Sequence, residues 1–249
     1  MIVMRTCLLF LLTFIIFSES AYSQKYKKPI DYRFKNGEPG YSGFFSKSVR
    51  YPEASVKAGT FGNSITRVSV NPEGEINRID IMNPIDSAID NQVLHAIALS
   101  KNYWKKCDSI SHDQVFYIQI TFSLPGFIPI SYKPKRKELV SLFPDPIAIT
   151  LPGPLLPTLS KENEGRIWAI KNDELTAKAN ACLDSAKFEK ALPFINELIK
   201  RDPFTRDLYK SRIMVNIRLN RPEFVGADDD KLNDFAEGFS ISDINKDQD

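Results

Sequence analysis

The sequence predicts an α+β protein: a three-stranded antiparallel sheet with a helix packed on one face, followed by a small all-α tail. Three observations lead to this class. A strand–turn–strand pattern spans residues 64–82. A strictly alternating strand follows at residues 115–124, and from about residue 167 apolar residues recur with the helical period. A chain of 249 residues, 43% hydrophobic and 26% charged, is typical of a globular protein with one or two domains.

Residues 1–23 have the pattern of a secretory signal peptide. Arg5 supplies a positive charge, an apolar run extends from Thr6 to Phe17, and small residues at Ala21 and Ser23 favour cleavage before Gln24. The run is short for a transmembrane helix, which needs about 20 apolar residues. Cleavage would make the mature protein periplasmic. The alternative is an uncleaved signal, in which residues 1–20 anchor the protein in the inner membrane.

After an N-terminal extension at residues 24–47, a domain is predicted at residues 48–127. A short helix from Tyr51 to Lys57 opens it. The turn at residues 71–74 has proline second and glycine last, so it joins its flanking strands into an antiparallel hairpin.

A helix is predicted from Asp86 to Trp104, with Ser87 and Asp90 forming a start that is similar to a capping box. Its apolar stripe comprises Ile89, Val93, Ala96, Ile97, Ser100 and Trp104. We expect the ring of Trp104 to pack on the sheet near Phe116 or Ile118.

The strand Val115–Leu124 ends this domain, which favours a position at the edge of the sheet. Its even-numbered residues are apolar, and its odd-numbered face includes Tyr117, Gln119 and Thr121. An unpaired strand edge can accept a peptide as an additional strand. The alternatives are that these three side chains are solvated, or that the following segment covers them.

The segment that follows the strand contains eight prolines within residues 125–157. This composition is typical of an extended linker, assigned to residues 128–165, or of a strap on a neighbouring surface. Residues 166–238 then show three amphipathic helices, and residues 239–249 are expected to be a disordered tail.

Several short motifs follow one another in the predicted domain: Tyr51-Pro52-x-Ala54, Gly59-x-x-Gly62, Val68-Ser69-Val70 with Asn71-Pro72-Glu73-Gly74-Glu75-Ile76, Trp104-Lys105 and Leu124-Pro125-Gly126-Phe127. In this order they resemble the C-terminal domain of the TonB family. Ser64 and Lys106 depart from the family pattern, which usually has an apolar residue and a proline there. The resemblance implies a non-enzymatic protein of the cell envelope. It also implies that the last strand receives a short peptide of an outer-membrane receptor, flanked here by Tyr117, Gln119 and Thr121.

The order of segments differs from that of a TonB energy transducer, in which a long proline-rich spacer precedes this domain. Here residues 24–47 intervene, which extend to at most about 80 Å, and the proline-rich segment follows the domain. This order favours a periplasmic binding protein. The alternative is an atypical TonB-type energy transducer, anchored by its N-terminal helix, that acts in outer-membrane receptor transport.

The tail resembles tetratricopeptide repeats, because Ala179, Ala191 and Pro203 fall at the small-residue and terminal-proline positions of one 34-residue unit. A generic helical bundle explains the same pattern equally well. With either fold, we expect the tail to be a protein-interaction surface.

The sequence contains no motif that predicts catalysis, a cofactor or a metal site. His95, His112 and Cys107 are scattered and do not have the spacing of zinc ligands. The run Asp228-Asp229-Asp230 is typical of a solvated helix face, and Cys107 and Cys182 are expected to be separate thiols. With a net charge of +2 and no basic cluster, no segment is basic enough to imply a nucleic-acid partner, and none is expected. The expected partner is a protein or peptide of the cell envelope, with no small-molecule substrate.

Overall fold

A computed structural model describes residues 28–124, 142–150 and 166–234. The predicted signal peptide, most of the predicted linker and the tail at residues 239–249 lie outside them. The first part of the chain forms α1 (Pro29–Arg33), α2 (Gly37–Ser48), α3 (Glu53–Lys57), β1 (Gly62–Val70), β2 (Ile76–Asn83), α4 (Ser87–Leu99), β3 (Gln114–Ser123) and β4 (Ile147–Thr150). The tail forms α5 (Asn172–Asp184), α6 (Phe188–Arg201), α7 (Arg206–Arg218) and α8 (Val225–Asp234).

The predicted α+β class is confirmed, but the sheet has four strands where three were expected. Its order is β2-β1-β3-β4. β1 pairs antiparallel with both β2 and β3, which confirms the hairpin, whereas β4 pairs parallel with β3. β4 was not predicted from the sequence, because its four residues lie between prolines in a segment that has the composition of a linker.

One face of the sheet carries the main apolar core, and we call it the inner face. α4 packs its predicted stripe there, against Val68 and Val70 of β1 and the even-numbered residues of β3. The ring of Trp104 lies 4.9 Å from that of Phe116, which confirms its predicted position. Its Nε1–H donates to Ser100 Oγ at 3.0 Å, so burial leaves the indole donor satisfied.

The start of α4 differs from the prediction. Asp86 is the N-cap, and its Oδ1 accepts a hydrogen bond from the backbone N–H of Ile89 at 2.8 Å. Asp90 Oδ1 accepts from the N–H of Ile85 at 3.0 Å. Asp86 rather than Ser87 therefore occupies the capping position, and the Asp90 carboxylate accepts from the residue before the cap instead of completing a capping box.

Two helices that the sequence did not reveal complete the inner core. α1, α2 and Phe34 between them contribute four buried side chains: Ile30, Phe34, Tyr41 and Phe45. The ring of Phe34 meets that of Trp104 edge-on at 5.1 Å between centroids. Residues 28–47 of the N-terminal extension are therefore packed onto the domain rather than leading away from it.

The tail forms a helical bundle with its own core: Leu175, Ala179, Ala191, Ile195, Leu198, Ile199, Tyr209 and Val215. Its helical content is as predicted, and α8 follows the three expected helices. The tail also contacts the second face of the sheet, which we call the outer face. There Phe204 joins Ile65, Met82, Tyr117 and Phe143 in a smaller apolar cluster.

Candidate functional site

The predicted edge strand β3 is an inner strand. On one side it pairs with β1 from Gln114 to Phe122. On the other side, residues 120–123 pair with residues 147–150, and the N–H of Tyr117 donates to the carbonyl of Leu142 at 2.9 Å. We call residues 142–150 the strap. The expected edge position is therefore corrected: part of the proline-rich segment lies along β3 and forms the fourth strand.

The three predicted peptide-flanking side chains, Tyr117, Gln119 and Thr121, are all buried on the outer face, at most 5% exposed. Asn63 Oδ1 accepts hydrogen bonds from Gln119 Nε2 at 3.3 Å and from Thr121 Oγ1 at 2.7 Å. These two side chains thus hold a β1 residue in place. The structure brings all three together along β3 but directs them toward other parts of the same chain.

Apolar contacts hold the strap on both faces of the sheet. The ring of Phe143 stacks on that of Tyr117 with 4.7 Å between centroids and 5° between planes. Phe143 also meets Phe204 of the tail at 5.7 Å. On the inner face, Ile147 is buried and Ile149 packs against the same core. Ile147 and Ile149 share one side of β4, as residues two apart do in a β-strand, whereas Phe143 lies before β4 and packs on the opposite face of the sheet.

A polar cluster anchors the strap just before β4. Lys28 Nζ donates to both carboxylate oxygens of Glu38, at 2.7 and 2.8 Å, and to Asp145 Oδ1 at 3.2 Å. The backbone N–H of Asp145 donates to Glu38 Oε1 at 2.6 Å. Burial lowers the pKa of Lys28, but these hydrogen bonds and charges outweigh it and raise the pKa above its ordinary value.

Two asparagines connect the outer face to the tail. Asn63 Nδ2 donates to the carbonyl of Arg201 at 2.8 Å. Asn83 Nδ2 donates to the carbonyl of Asn63 at 2.7 Å and to that of Ile199 at 3.4 Å. Both side chains are buried. Arg67 adds an ion pair with Asp234 of α8, so backbone carbonyls and a charged pair fix the tail to the sheet.

The pair Gly59-x-x-Gly62 makes room for the tail. A Cβ at Gly59 would lie 2.4 Å from the indole of Trp168, and one at Gly62 would lie 2.6 Å from the carbonyl of Lys200. Both glycines have positive φ, at 68° and 154°. The two glycines are visible as a motif in the sequence, but their role in making room for the tail could not be predicted from it. The same holds for Asn63, which stands where a strand pattern would favour an apolar residue.

Other titratable groups give no catalytic arrangement among the described residues. His95 and His112 are exposed, and no three His, Cys, Asp or Glu side chains in this part of the chain could hold a metal ion. Cys107 and Cys182 are free thiols, as expected. The acidic run departs from its prediction, because Asp228 is buried and paired with Arg212 at 2.6 Å. None of the helices formed by residues 28–124 and 166–234 is long and apolar enough to cross a membrane.

Residues 47–124 match the family model described as Gram-negative bacterial TonB protein C-terminal. The match covers 78 of the 249 residues and includes α3, the β1–β2 hairpin, α4 and β3. A search of curated proteins and a search of solved structures gave no match. The family is in general non-enzymatic, and domains of this family typically bind outer-membrane receptors or other cell-envelope proteins. Sequence motifs, fold and family model thus agree that residues 47–124 form a TonB C-terminal-like domain.

Proposed function

We propose that this protein is a non-enzymatic periplasmic protein that captures an extended peptide of a cell-envelope partner, an outer-membrane receptor, along β3. The helical tail, which resembles tetratricopeptide repeats, offers a second protein-interaction surface. The observation that carries this proposal is the strap: the second side of β3 already holds an extended segment as an added strand. A sheet binds an extended peptide through backbone hydrogen bonds of this kind.

The strap is suited to exchange with such a peptide. β4 has four residues and pairs in parallel, whereas β1 pairs with β3 over nine residue pairs. Parallel ladders are slightly less stable per residue than antiparallel ones. Loss of the strap would leave the β1–β3 ladder complete. A partner strand that binds β3 in the same place would therefore replace about four residue pairs and keep the fold.

In this proposal we revise the roles of the predicted residues Tyr117, Gln119 and Thr121. Tyr117 offers an aromatic face, which Phe143 of the strap now occupies. A partner with an aromatic or apolar residue at the corresponding position would make the same contact. Gln119 and Thr121 act indirectly, because their hydrogen bonds to Asn63 keep β1 and β3 aligned.

An engineered disulfide that reversibly holds the strap on β3 tests the proposal. Ser123 and Thr150 are register partners across the parallel pair. Neighbouring strands lie about 4.8 Å apart, within the Cα separation that a disulfide tolerates. Ser123→Cys with Thr150→Cys, in a background in which Cys107 and Cys182 are replaced, would hold the strap closed when oxidised. We expect the reduced protein to co-sediment with outer-membrane vesicles of a Gram-negative bacterium and the oxidised protein to remain in solution.

The single variant Ser123→Cys, treated in the same way, controls for the effect of the oxidant. Equal binding by the oxidised and reduced double variants would exclude β3 as the binding strand. Absence of binding in both forms and in the parent would contradict the choice of an outer-membrane partner. N-terminal sequencing of the exported protein tests the location: a first residue at Gln24 supports the periplasmic form, and an intact Met1 supports the anchored energy transducer.

A further inference from the structure

Two extended stretches of the chain, around Phe34 and Trp104, run side by side at the surface of the domain, between α1 and the end of α4. The N–H of Lys35 donates to the carbonyl of Tyr103 at 2.8 Å, and Phe34 and Trp104 form an antiparallel bridge. Phe34 and Trp104 are buried in the inner core. Lys35, Tyr103 and Lys105, which alternate with them, are exposed to solvent.

Exposed aromatic and aliphatic side chains surround Tyr103, which is itself 37% exposed. The ring of Phe44 lies 4.5 Å from that of Tyr103. Leu99, 51% exposed, precedes Tyr103 by four residues in one helical stretch, so the two share a side. Tyr32, 42% exposed, lines the same surface depression as Lys105. We call Tyr32, Phe44, Leu99 and Tyr103 the apolar patch, because contiguous exposed side chains of this kind mark an interaction surface.

Lysine side chains accompany the apolar patch without neighbouring carboxylates to neutralise them. The Nζ of Lys35 lies 5.9 Å from the ring centroid of Tyr103. Residues 39–52 and 91–107 together contain five Lys and Arg residues and no Asp or Glu. Within the described part of the chain, four ammonium groups of this region have no carboxylate partner: Lys35, Lys47, Lys101 and Lys105. The positive charge of this face is therefore open to an external anion.

Three carboxylates line the depression at one border of the apolar patch, and all three have partners within the domain. Glu38 and Asp145 both pair with Lys28, at 2.7 and 3.2 Å. Asp31 accepts hydrogen bonds from the backbone N–H groups of Lys28 and Glu38, at 3.0 and 3.3 Å. These carboxylates are engaged in holding α1, α2 and the strap together, so they leave the lysines of the patch unpaired.

We propose that this face of the domain binds the surface of a lipid bilayer that contains anionic phospholipid. Charge complementarity identifies the occupant, because unpaired ammonium groups attract phosphate headgroups. Tyrosine rings and an exposed leucine suit the boundary between headgroups and acyl chains, where lysine stems also lie along apolar surface.

The position of the patch in the chain favours a bilayer over an acidic protein. α1 begins at Pro29, and the predicted apolar run of the signal peptide ends at Phe17. Residues 18–27, which join them, extend to at most about 35 Å. An uncleaved signal would thus hold the patch close to the membrane, and a cleaved one would leave the patch itself as the membrane contact. The proposal does not depend on strand capture by β3.

Co-sedimentation with protein-free vesicles tests the proposal. The chain from Gln24 onwards is used, because it lacks the apolar run and cannot bind through it. The vesicles contain phosphatidylcholine alone or phosphatidylcholine with about one third phosphatidylglycerol. We expect binding to the anionic vesicles to be at least about tenfold tighter than to the neutral ones. It should be lost at about 0.5 M salt, where the Debye length falls to ~4 Å.

Matched variants locate the binding at the patch. Lys35→Gln with Lys101→Gln should weaken binding to anionic vesicles about twentyfold, since each lysine at such a surface contributes about fivefold. Lys178→Gln with Lys210→Gln, on the tail, removes the same net charge and should leave binding unchanged. Leu99→Gln should weaken binding about fivefold through the lost apolar contact. Circular dichroism checks that each variant is folded.

Equal binding to neutral and anionic vesicles, no binding to either, or unaltered binding by both patch variants would overturn the proposal. Binding of soluble polyglutamate without binding to vesicles would assign the patch to an acidic protein and would also overturn it. The oxidised strap variant should bind anionic vesicles as the parent does, because these vesicles contain no protein. At about 0.5 M salt the strap experiment with outer-membrane vesicles measures strand capture alone, so the two proposals fail separately.

Discussion

The two edges of the sheet differ in how they arise. β2 has eight residues, follows β1 after a short turn and pairs with it in antiparallel fashion. β4 has four residues, comes from a segment more than 20 residues beyond β3 and pairs in parallel. A hairpin closes a short loop, whereas the strap must close a long one and gains fewer backbone bonds in return. The hairpin edge is therefore integral to the domain, and the strap edge is replaceable.

The side chains of the two edges support the same distinction. β2 exposes Arg78 and pairs Asp80 with Arg67 and Arg78, at 3.2 and 2.8 Å. Charged residues on an edge strand discourage further strand pairing. The strap instead inserts Phe143 and Ile147 into apolar clusters on opposite faces. One edge is protected from added strands, and the other shows how an added strand binds.

The mutation with the largest expected effect on stability removes a side chain from the core beneath both edges. Trp104→Ala should lower the free energy of unfolding by about 3–5 kcal/mol, because it leaves a cavity between α1, α4 and β3. Leu99→Ala, at an exposed position at the end of α4, should change it by less than about 0.5 kcal/mol. Urea titration followed by circular dichroism measures both. A loss below about 1 kcal/mol for Trp104→Ala would mean that the ring does not support the sheet.

Truncating a buried apolar side chain at each edge should lower the free energy of unfolding by less than Trp104→Ala does. The two edges should also differ from each other in the size of this loss. Met82→Ala in β2 should lower the free energy of unfolding by about 2–5 kcal/mol. Ile147→Ala in β4 removes a residue that is equally well buried, but its cost cannot exceed the free energy that holds the strap on β3. We expect that cost to be about 2 kcal/mol or less, at the low end for a buried isoleucine.

Hydrogen exchange separates local from global effects in this pair. The N–H of Tyr117 points to the strap, so the N–H groups of Phe116 and Ile118 point to β1. Ile147→Ala should speed exchange at Tyr117 and leave its two neighbours protected, because only the strap opens. Equal acceleration at all three amides would show that the two edges unfold together and that the strap is not separable.

The features predictable from the sequence are those set by local periodicity. The hairpin, a helix at α4 and the alternation of β3 follow from neighbouring residues, and the structure confirms them. The predicted end of the helix at Trp104 is corrected, because α4 ends at Leu99 and a 3-10 turn at Ser100–Tyr103 leads to Trp104. The strap was not predictable as a strand, because its pairing depends on residues distant in the chain. The burial of Tyr117 has the same cause: alternation marks two faces of a strand, but only tertiary packing decides that both are covered.

The smallest expected effect concerns the ion cluster that anchors the strap. Lys28 holds Glu38 and Asp145 at the start of β4. Lys28→Met should lower the free energy of unfolding by about 0.5–1 kcal/mol, because solvent screens a partly exposed ion pair. Lys57→Met, which breaks the fully exposed pair with Glu53, is the matched control and should have little effect.

The pH dependence of this effect has a definite sign. The folded-state pKa of Lys28 is raised above its ordinary value of 10.5, so folding favours the protonated amine. The stabilisation is therefore complete below pH 10.5 and is lost as the pH rises through the folded-state pKa. The difference in unfolding free energy between the parent and Lys28→Met should be constant from pH 7 to about pH 9 and vanish above the folded-state pKa. A difference that persists unchanged at higher pH would mean that packing of the lysine stem, rather than its charge, anchors the strap.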